Sequence, residues 1–198
     1  MVRETCSNCD KPKKRCICQF LSTIDNIQTV IILQHKKETR HPFSTLPIVA
    51  NTLARCHVFV GEDFTQTESL QKLLGRLRVW IIFPSAESQD FAEKMESIAE
   101  HDKPNALLYV DGTWKKAKKI WYINSFLHDL PQFKLSLQQS SQYQIRRSRY
   151  EDSLSLVEAV YESMSILEPS VSFQPLVYAF DNMVKQQLSL ESDHKNQK

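Results

Sequence analysis

Two groups of residues in this 198-residue chain have types and spacing that carry chemistry. The first is Cys6, Cys9, Cys16 and Cys18, a C-x-x-C followed by a C-x-C, with Asp-Lys-Pro-Lys-Lys-Arg between the pairs. Zinc prefers four tetrahedral thiolate or imidazole ligands, and two close pairs joined by a short loop present such a set. The basic residues of the loop lower the thiol pKa values and offset the negative charge of a tetrathiolate site. Free or redox-active thiols are the other reading. Two pairs rather than one favour a closed zinc site, structural in role because four protein ligands leave no open coordination position. The second group is Asp111-Gly112-Thr113, with Trp114 behind it. An apolar run, 107–110, stops there, and a basic, helix-patterned segment begins at once. A strand that hands over to a helix across a tight turn puts a carboxylate, a flexible backbone and a hydroxyl at the carboxyl edge of a sheet, where open α/β folds bind ligands.

The elements that must position this corner are legible on both sides of it. Residues 28–34 are dense in β-branched side chains and predict a buried strand, as do 79–83 and 107–110. Residues 57–60 and 133–137 are short strand candidates. Helical spacing predicts helices over 45–56, 86–100, 154–167 and 173–190, with a short one near 68–74. Ser44 or Thr45 caps the first of these, and Ser153 the one that starts at Leu154. Pro84 breaks the strand before it. This order argues for an α/β domain with a mostly parallel sheet over 23–198, preceded by a cysteine knuckle over 1–22.

In the helix after Asp111, Trp114, Ala117, Ile120 and Trp121 share one stripe, which places Trp114 in core packing. Lys115, Lys118 and Lys119 lie on another stripe. A solvated face is the ordinary reading for such lysines; beside a ligand turn they draw a polyanion. His35, Glu38 and His41 follow the first strand. A metal reading would need a fourth ligand from elsewhere, and a polar loop whose His and Lys touch substrate is preferred. His57, beside Cys56, is expected in packing.

At 41% hydrophobic and 24% charged the composition is that of a soluble globular protein. A net charge of +2 means that nucleic-acid affinity must come from clusters, and three exist, at 11–15, at 115–119 and at Arg146, Arg147 and Arg149. No apolar run approaches the roughly 20 residues of a bilayer span. MVRETCSNCD lacks the apolar core of a signal peptide, so the expected compartment is the cytoplasm, where thiols stay reduced.

Taken together, the motifs resemble the DTW-domain family, whose members include tRNA-uridine aminocarboxypropyltransferases. The signature Asp-x-Thr-Trp stands at Asp111 to Trp114. Around it are the C-x-x-C…C-x-C knuckle with Pro12 between the pairs, Leu33-Gln34-His35 with Glu38 and His41, Phe83-Pro84, Ser141-x-Tyr143-x-Ile145-Arg146, and Leu154-Ser155 with Glu158-Ala159. Two positions depart from the family pattern: Lys36 stands where Pro tends to follow the His, and Leu156 where a Thr commonly follows the Ser.

The resemblance implies a SPOUT-like α/β fold with a C-terminal trefoil knot. It implies S-adenosylmethionine bound among Phe83, Pro84, Asp111, Gly112, Thr113, Trp114, Leu154, Ser155 and Glu158, with Arg146 holding the carboxylate of the transferred group or a phosphate. The implied activity moves a 3-amino-3-carboxypropyl group to N3 of a tRNA uridine. Asp111 is then either the base that removes the N3 proton or a cap on the helix that follows. Lys13, Lys14, Arg15, His35, His41, Lys115, Lys118, Lys119, Arg146 and Arg147 are the expected tRNA contacts. A structural zinc, no membrane partner and a monomer complete the expectation. An RNA methyltransferase on a similar fold and a non-catalytic zinc-containing RNA-binding module are the alternatives.

Overall fold

The computed structural model describes residues 4–39, 41–136 and 154–196, with side chains followed to position 189. Among them six strands form one sheet: β1 (Thr29–His35), β2 (Cys56–Gly61), β3 (Val79–Ile82), β4 (Gln89–Asp90), β5 (Ala106–Asp111) and β6 (Gln132–Lys134). The order across the sheet is β2-β1-β5-β3-β6-β4, and every pairing is parallel. Parallel strands need crossovers that cover both faces, which is why the central strands are unbroken apolar runs rather than alternating ones.

Alternation of side chains divides those runs between two cores. Val30, Ile32, Trp80, Leu107 and Tyr109 point to one face. There they meet α1 (Leu46–Thr52), α3 (Phe91–Ser97), α5 (Leu156–Leu167) and α6 (Gln174–Asn196). Ile31, Leu33, Val79, Ile81, Ala106 and Leu108 point to the other, against α2 (Glu68–Arg76) and α4 (Trp114–Ile123). The cysteine segment is continuous with the first core: Cys9 and Ile17 are buried in it, and Gln186 of α6 donates to the Cys16 carbonyl at 3.3 Å.

Several boundaries differ from the expected ones. α1 stops at Thr52 because Leu53 turns to bridge with Ile24 before β2 begins. α3 starts only at Phe91, where Asp90 accepts from the Glu93 amide at 3.0 Å. The cap of α5 is Ser155 rather than Ser153, closed as a capping box with Glu158. His57 is not packed but exposed, on the edge strand β2.

α5 runs against the strand direction. At its carboxyl end Glu168, 4% exposed, accepts the backbone amides of Ile27 (2.9 Å) and Gln28 (2.6 Å), just ahead of β1. Further up, Ser163 meets the Tyr109 hydroxyl at 2.5 Å, near the end of β5. Ser155 and Glu158 therefore lie at the same edge of the sheet as Asp111, on the face covered by α1 and α5. Replacing Glu168 with Ala leaves two amides unpaired, and hydrogen bonds to a charged group are worth about 1.5–3 kcal/mol each. Glu168→Ala is expected to lose about 2–4 kcal/mol in urea unfolding, and Glu168→Gln less.

Candidate active site

β5 lies between β1 and β3, and the helices that follow its neighbours pack on the face opposite to α4. A strand whose successor helix departs to the other side from its neighbours' opens a crevice at its carboxyl end, the switch point where parallel α/β sheets place ligands. Asp111 is the last residue of β5. Its register partner on β1 is Gln34, and by alternation both side chains point to the face of α1 and α5. Gln34, 2% exposed, donates its Nε2–H to Asp111 Oδ2 at 2.8 Å. Burial pushes the Asp111 carboxyl above the usual aspartate range; the Gln34 bond and His41 pull it back, and the charge of Glu38 adds to the rise. α4 has no side-chain cap bond at its N-cap, Thr113, so the cap role weighed for Asp111 has no hydrogen bond behind it.

Gly112 favours close packing. A Cβ there would stand 3.2 Å from the Lys116 Cβ, a tight contact that α4 would have to relieve by a few tenths of an ångström, and 3.5 Å from the His35 Cβ, an ordinary contact. Two carboxylates lock the same junction. Glu38, in the loop after β1, accepts from the Lys116 ammonium and from the Thr113 amide. Burial pushes Glu38 up, but Lys116, His41 and the Thr113 amide together more than offset it and the carboxyl titrates below its ordinary value. Glu62, just past β2, accepts from Lys119 at 2.6 Å and lies 2.9 Å from His35 Nε2 and 3.5 Å from the Lys36 ammonium, with Lys119 chiefly responsible for its lowered pKa. His35 is 2% exposed, so its expected contact with RNA gives way to a place inside the corner.

Trp114 is not in the core either; it is 50% exposed. Its ring lies on Phe83 at 5.6 Å, Phe83 lies on Trp121 at 4.7 Å, and Trp121 packs against His128 at 4.4 Å. The ends of β3 and β5 are thus joined by stacked rings. Ser155 and Glu158 bind each other, the Ser155 amide donating to Glu158 at 2.8 Å, and the departing residue Leu156 is buried as the first residue of α5. Lys13 pairs with Glu4 at 2.7 Å, Lys14 is exposed and Arg15 is half-buried. His41, Lys115 and Lys118 are exposed. Arg146 and Arg147 lie outside the described residues.

The four cysteine sulfurs fit a metal. All lie within 4.8 Å of one another, with Cys6–Cys18 at 3.6 Å and Cys9–Cys16 at 3.8 Å. A zinc tetrathiolate has edges of about 3.8 Å. The Cys9 and Asn8 amides point at the Cys6 sulfur and bring its thiol down to about 6, whereas burial and the neighbouring sulfurs push Cys16 up to about 12 and Cys18 up as well. The grouping therefore rests on the sulfur positions, and a metal would have to displace those protons. Among the described residues this is the one grouping able to share an ion; His35, Glu38 and His41 form none. Cys56 stands apart, its thiol pushed up to about 12 by burial. Lys11, read from the sequence as part of the basic cluster at 11–15, is instead 5% exposed, and its ammonium donates to the Pro42 and Ser44 carbonyls at 3.0 Å each. The knuckle thereby clamps the loop that carries Glu38 and His41.

The DTW domain family matches residues 3–188. The chain belongs to this family. A macaque (Macaca fascicularis) tRNA-uridine aminocarboxypropyltransferase 2 is 33% identical over 84% of the chain and 57% of its own length. The mouse protein of that name is 30% identical over 87% of the chain and 59% of its own length. A Drosophila melanogaster relative is 29% identical over 94% and 76%. The chain therefore spans somewhat under three fifths of the macaque and mouse proteins. No solved structure matches it significantly.

Gln34, Glu62 and Lys116 are the members of this DTW corner to which sequence reasoning assigned no role. Strand parity was the signal available for Gln34, which shares the Val30 and Ile32 face. Two outcomes are expected. Metal analysis of purified protein gives about one zinc per chain, and Cys9→Ser lowers both metal content and melting temperature. Because Asp111 has a raised folded-state pKa, the folded chain holds its proton over a pH range in which the unfolded chain has lost it. The carboxylate then destabilises the fold increasingly as pH rises from about 4 through the raised value. Asp111→Asn is expected to gain stability over the parent as pH rises from about 4, read as a difference in urea midpoint that grows until Asp111 is ionised in the folded chain.

Proposed function

We propose that this chain transfers the 3-amino-3-carboxypropyl group of S-adenosylmethionine to N3 of a uridine in tRNA; the names of its relatives describe them as tRNA-uridine aminocarboxypropyltransferases. The observation that carries the reading is the desolvated carboxylate of Asp111, held by Gln34 at the switch point of a parallel sheet in a DTW chain. Neutral uridine N3 is a poor nucleophile, so its proton must leave as it attacks. Bound S-adenosylmethionine supplies an electrophilic methylene beside its sulfonium. Asp111 takes the N3 proton while the N3–C bond forms; the C–S electron pair departs with sulfur, and methylthioadenosine is the second product. A carboxyl with a raised pKa is a better base for this than an ordinary aspartate.

The binding residues in this reading are Phe83, Pro84, Gly112, Thr113, Trp114, Leu154, Ser155, Glu158 and Arg146. Support comes from the joining of Phe83 to Trp114 and from the return of α5 to the edge and face of Asp111. A SPOUT-like C-terminal knot, a structural zinc in a knuckle over 1–22, action as a monomer and a cytoplasmic location belong to the same proposal. No helix among the described residues is long and apolar enough to cross a membrane.

Incubated with S-adenosylmethionine and unmodified tRNA, the purified chain is expected to release methylthioadenosine and to yield aminocarboxypropyluridine by nucleoside mass spectrometry. Release of S-adenosylhomocysteine would instead mark a methyltransferase. Asp111→Asn is expected to keep cofactor binding in calorimetry and to lose turnover by about 100-fold or more. The pH profile of kcat/KM should rise as Asp111 ionises. Gln34→Met, which removes a bond that lowers the Asp111 pKa, should move that rise to higher pH.

A further inference from the structure

The outer face of α4 carries a pattern that runs outward from Trp114, at the edge of the proposed cofactor site, onto residues that the transfer reaction does not use. Trp114, Lys118 and Tyr122 are spaced four and four apart, which holds them within about 80° of the helix surface and spreads them over about 12 Å. Trp114 is 50% exposed and Tyr122 is 72% exposed, so two aromatic rings face solvent at the two ends of one stripe. Lys118 lies between them with its ammonium over the Trp114 ring, 4.9 Å from the centroid, from where its flexible chain must swing aside for a base to stack on that face, and Lys115 is exposed beside it. α4 contains no acidic residue. Its other lysines are neutralised from below, Lys116 by Glu38 and Lys119 by Glu62. The charge left facing outward is that of Lys115 and Lys118.

An ordinary solvated helix face mixes charges of both signs and does not present large aromatics. A surface alternating rings with cations is how proteins hold single-stranded nucleic acid: unstacked bases lie on the rings and phosphates on the lysines. Trp114 suits this because the Phe83, Trp121 and His128 stack behind it fixes its ring, so little order is lost on binding. The stripe also begins three residues from Asp111, at the corner itself.

We propose that α4 is a platform for a single-stranded segment of the RNA substrate, with Trp114 and Tyr122 each stacking a base and Lys115 and Lys118 binding the phosphates between them. This rests on the tRNA reading above. It adds that the enzyme selects RNA whose bases near the target are unpaired, by stacking and not by charge alone.

The test titrates unmodified tRNA, single-stranded oligouridylate, an RNA duplex of equal length and polyglutamate against the full chain and its variants, with S-adenosylmethionine binding followed in parallel. Tyr122→Ala should weaken tRNA and oligouridylate binding by about five-fold to a hundred-fold, the range found for one stacked base. Tyr122→Phe should restore it, Lys118→Gln should weaken it with a smaller salt dependence, and cofactor affinity should stay unchanged in all three. Trp80 and Trp121 are buried, so oligouridylate should quench tryptophan emission in the parent and not in Trp114→Phe. The proposal is overturned if Tyr122→Ala, with unchanged circular dichroism, binds both RNAs as the parent does, if the duplex binds as well as the single strand, or if polyglutamate binds as tightly as oligouridylate. If the parent neither binds nor modifies tRNA, the function proposed above fails, while the oligouridylate quench still decides for or against the platform.

Discussion

A single hydrogen bond across two parallel strands, from Gln34 to Asp111, organises the corner. A carboxylate pressed among apolar side chains is costly to ionise, and an unpartnered one would either stay protonated or turn away. The Gln34 amide fixes its direction while lowering its pKa only in part, leaving a group that is aimed and still basic. The pairing depends on register. A one-residue slip between β1 and β5 would place Leu33 opposite Asp111 and send Gln34 to the other face. The buried run of β1 guards against that slip, because it would also turn Val30 and Ile32 to the wrong core.

Charge is arranged around this bond in layers. Glu38 and Glu62 lie beneath α4 and take up Lys116 and Lys119, so the inner side of the helix is neutral where it meets the sheet. The outer side keeps its positive charge. A helix of this composition is thereby both a packed element, through Ala117, Ile120 and Trp121, and a surface that keeps uncompensated positive charge.

Much of the fold was legible because parallel sheets write their strands as plain apolar runs, and β1, β3 and β5 stand where those runs stand. The cysteine cluster was legible for a different reason: ligand type and spacing are local. What was not legible depended on contacts distant in sequence. Lys11 reads as one of a basic cluster, and only the proximity of the Pro42 and Ser44 carbonyls makes it a buried tether. His35 reads as a loop histidine, and becomes interior only once Glu62 arrives from β2. Trp114 falls on the apolar stripe by spacing, yet the first turn of α4 projects beyond the core, so the stripe continues onto the surface of Phe83. The Ser155 cap was displaced by two positions from the expected Ser153, since Glu158 closes a box only with a residue three before it.

The Lys11 tether bears on how such a chain can be taken apart and recombined. A boundary drawn after residue 22 looks convenient on paper, since the cysteines end there. Yet the loop bearing Glu38 and His41 is held from the far side of that boundary, and Ile17 fills the core that α6 closes. A chimaera that exchanged the first 22 residues between relatives would need to bring a lysine at position 11 and a host loop with two carbonyls turned to meet it. The knuckle is better regarded as the keystone of the loop than as an attachment to the domain.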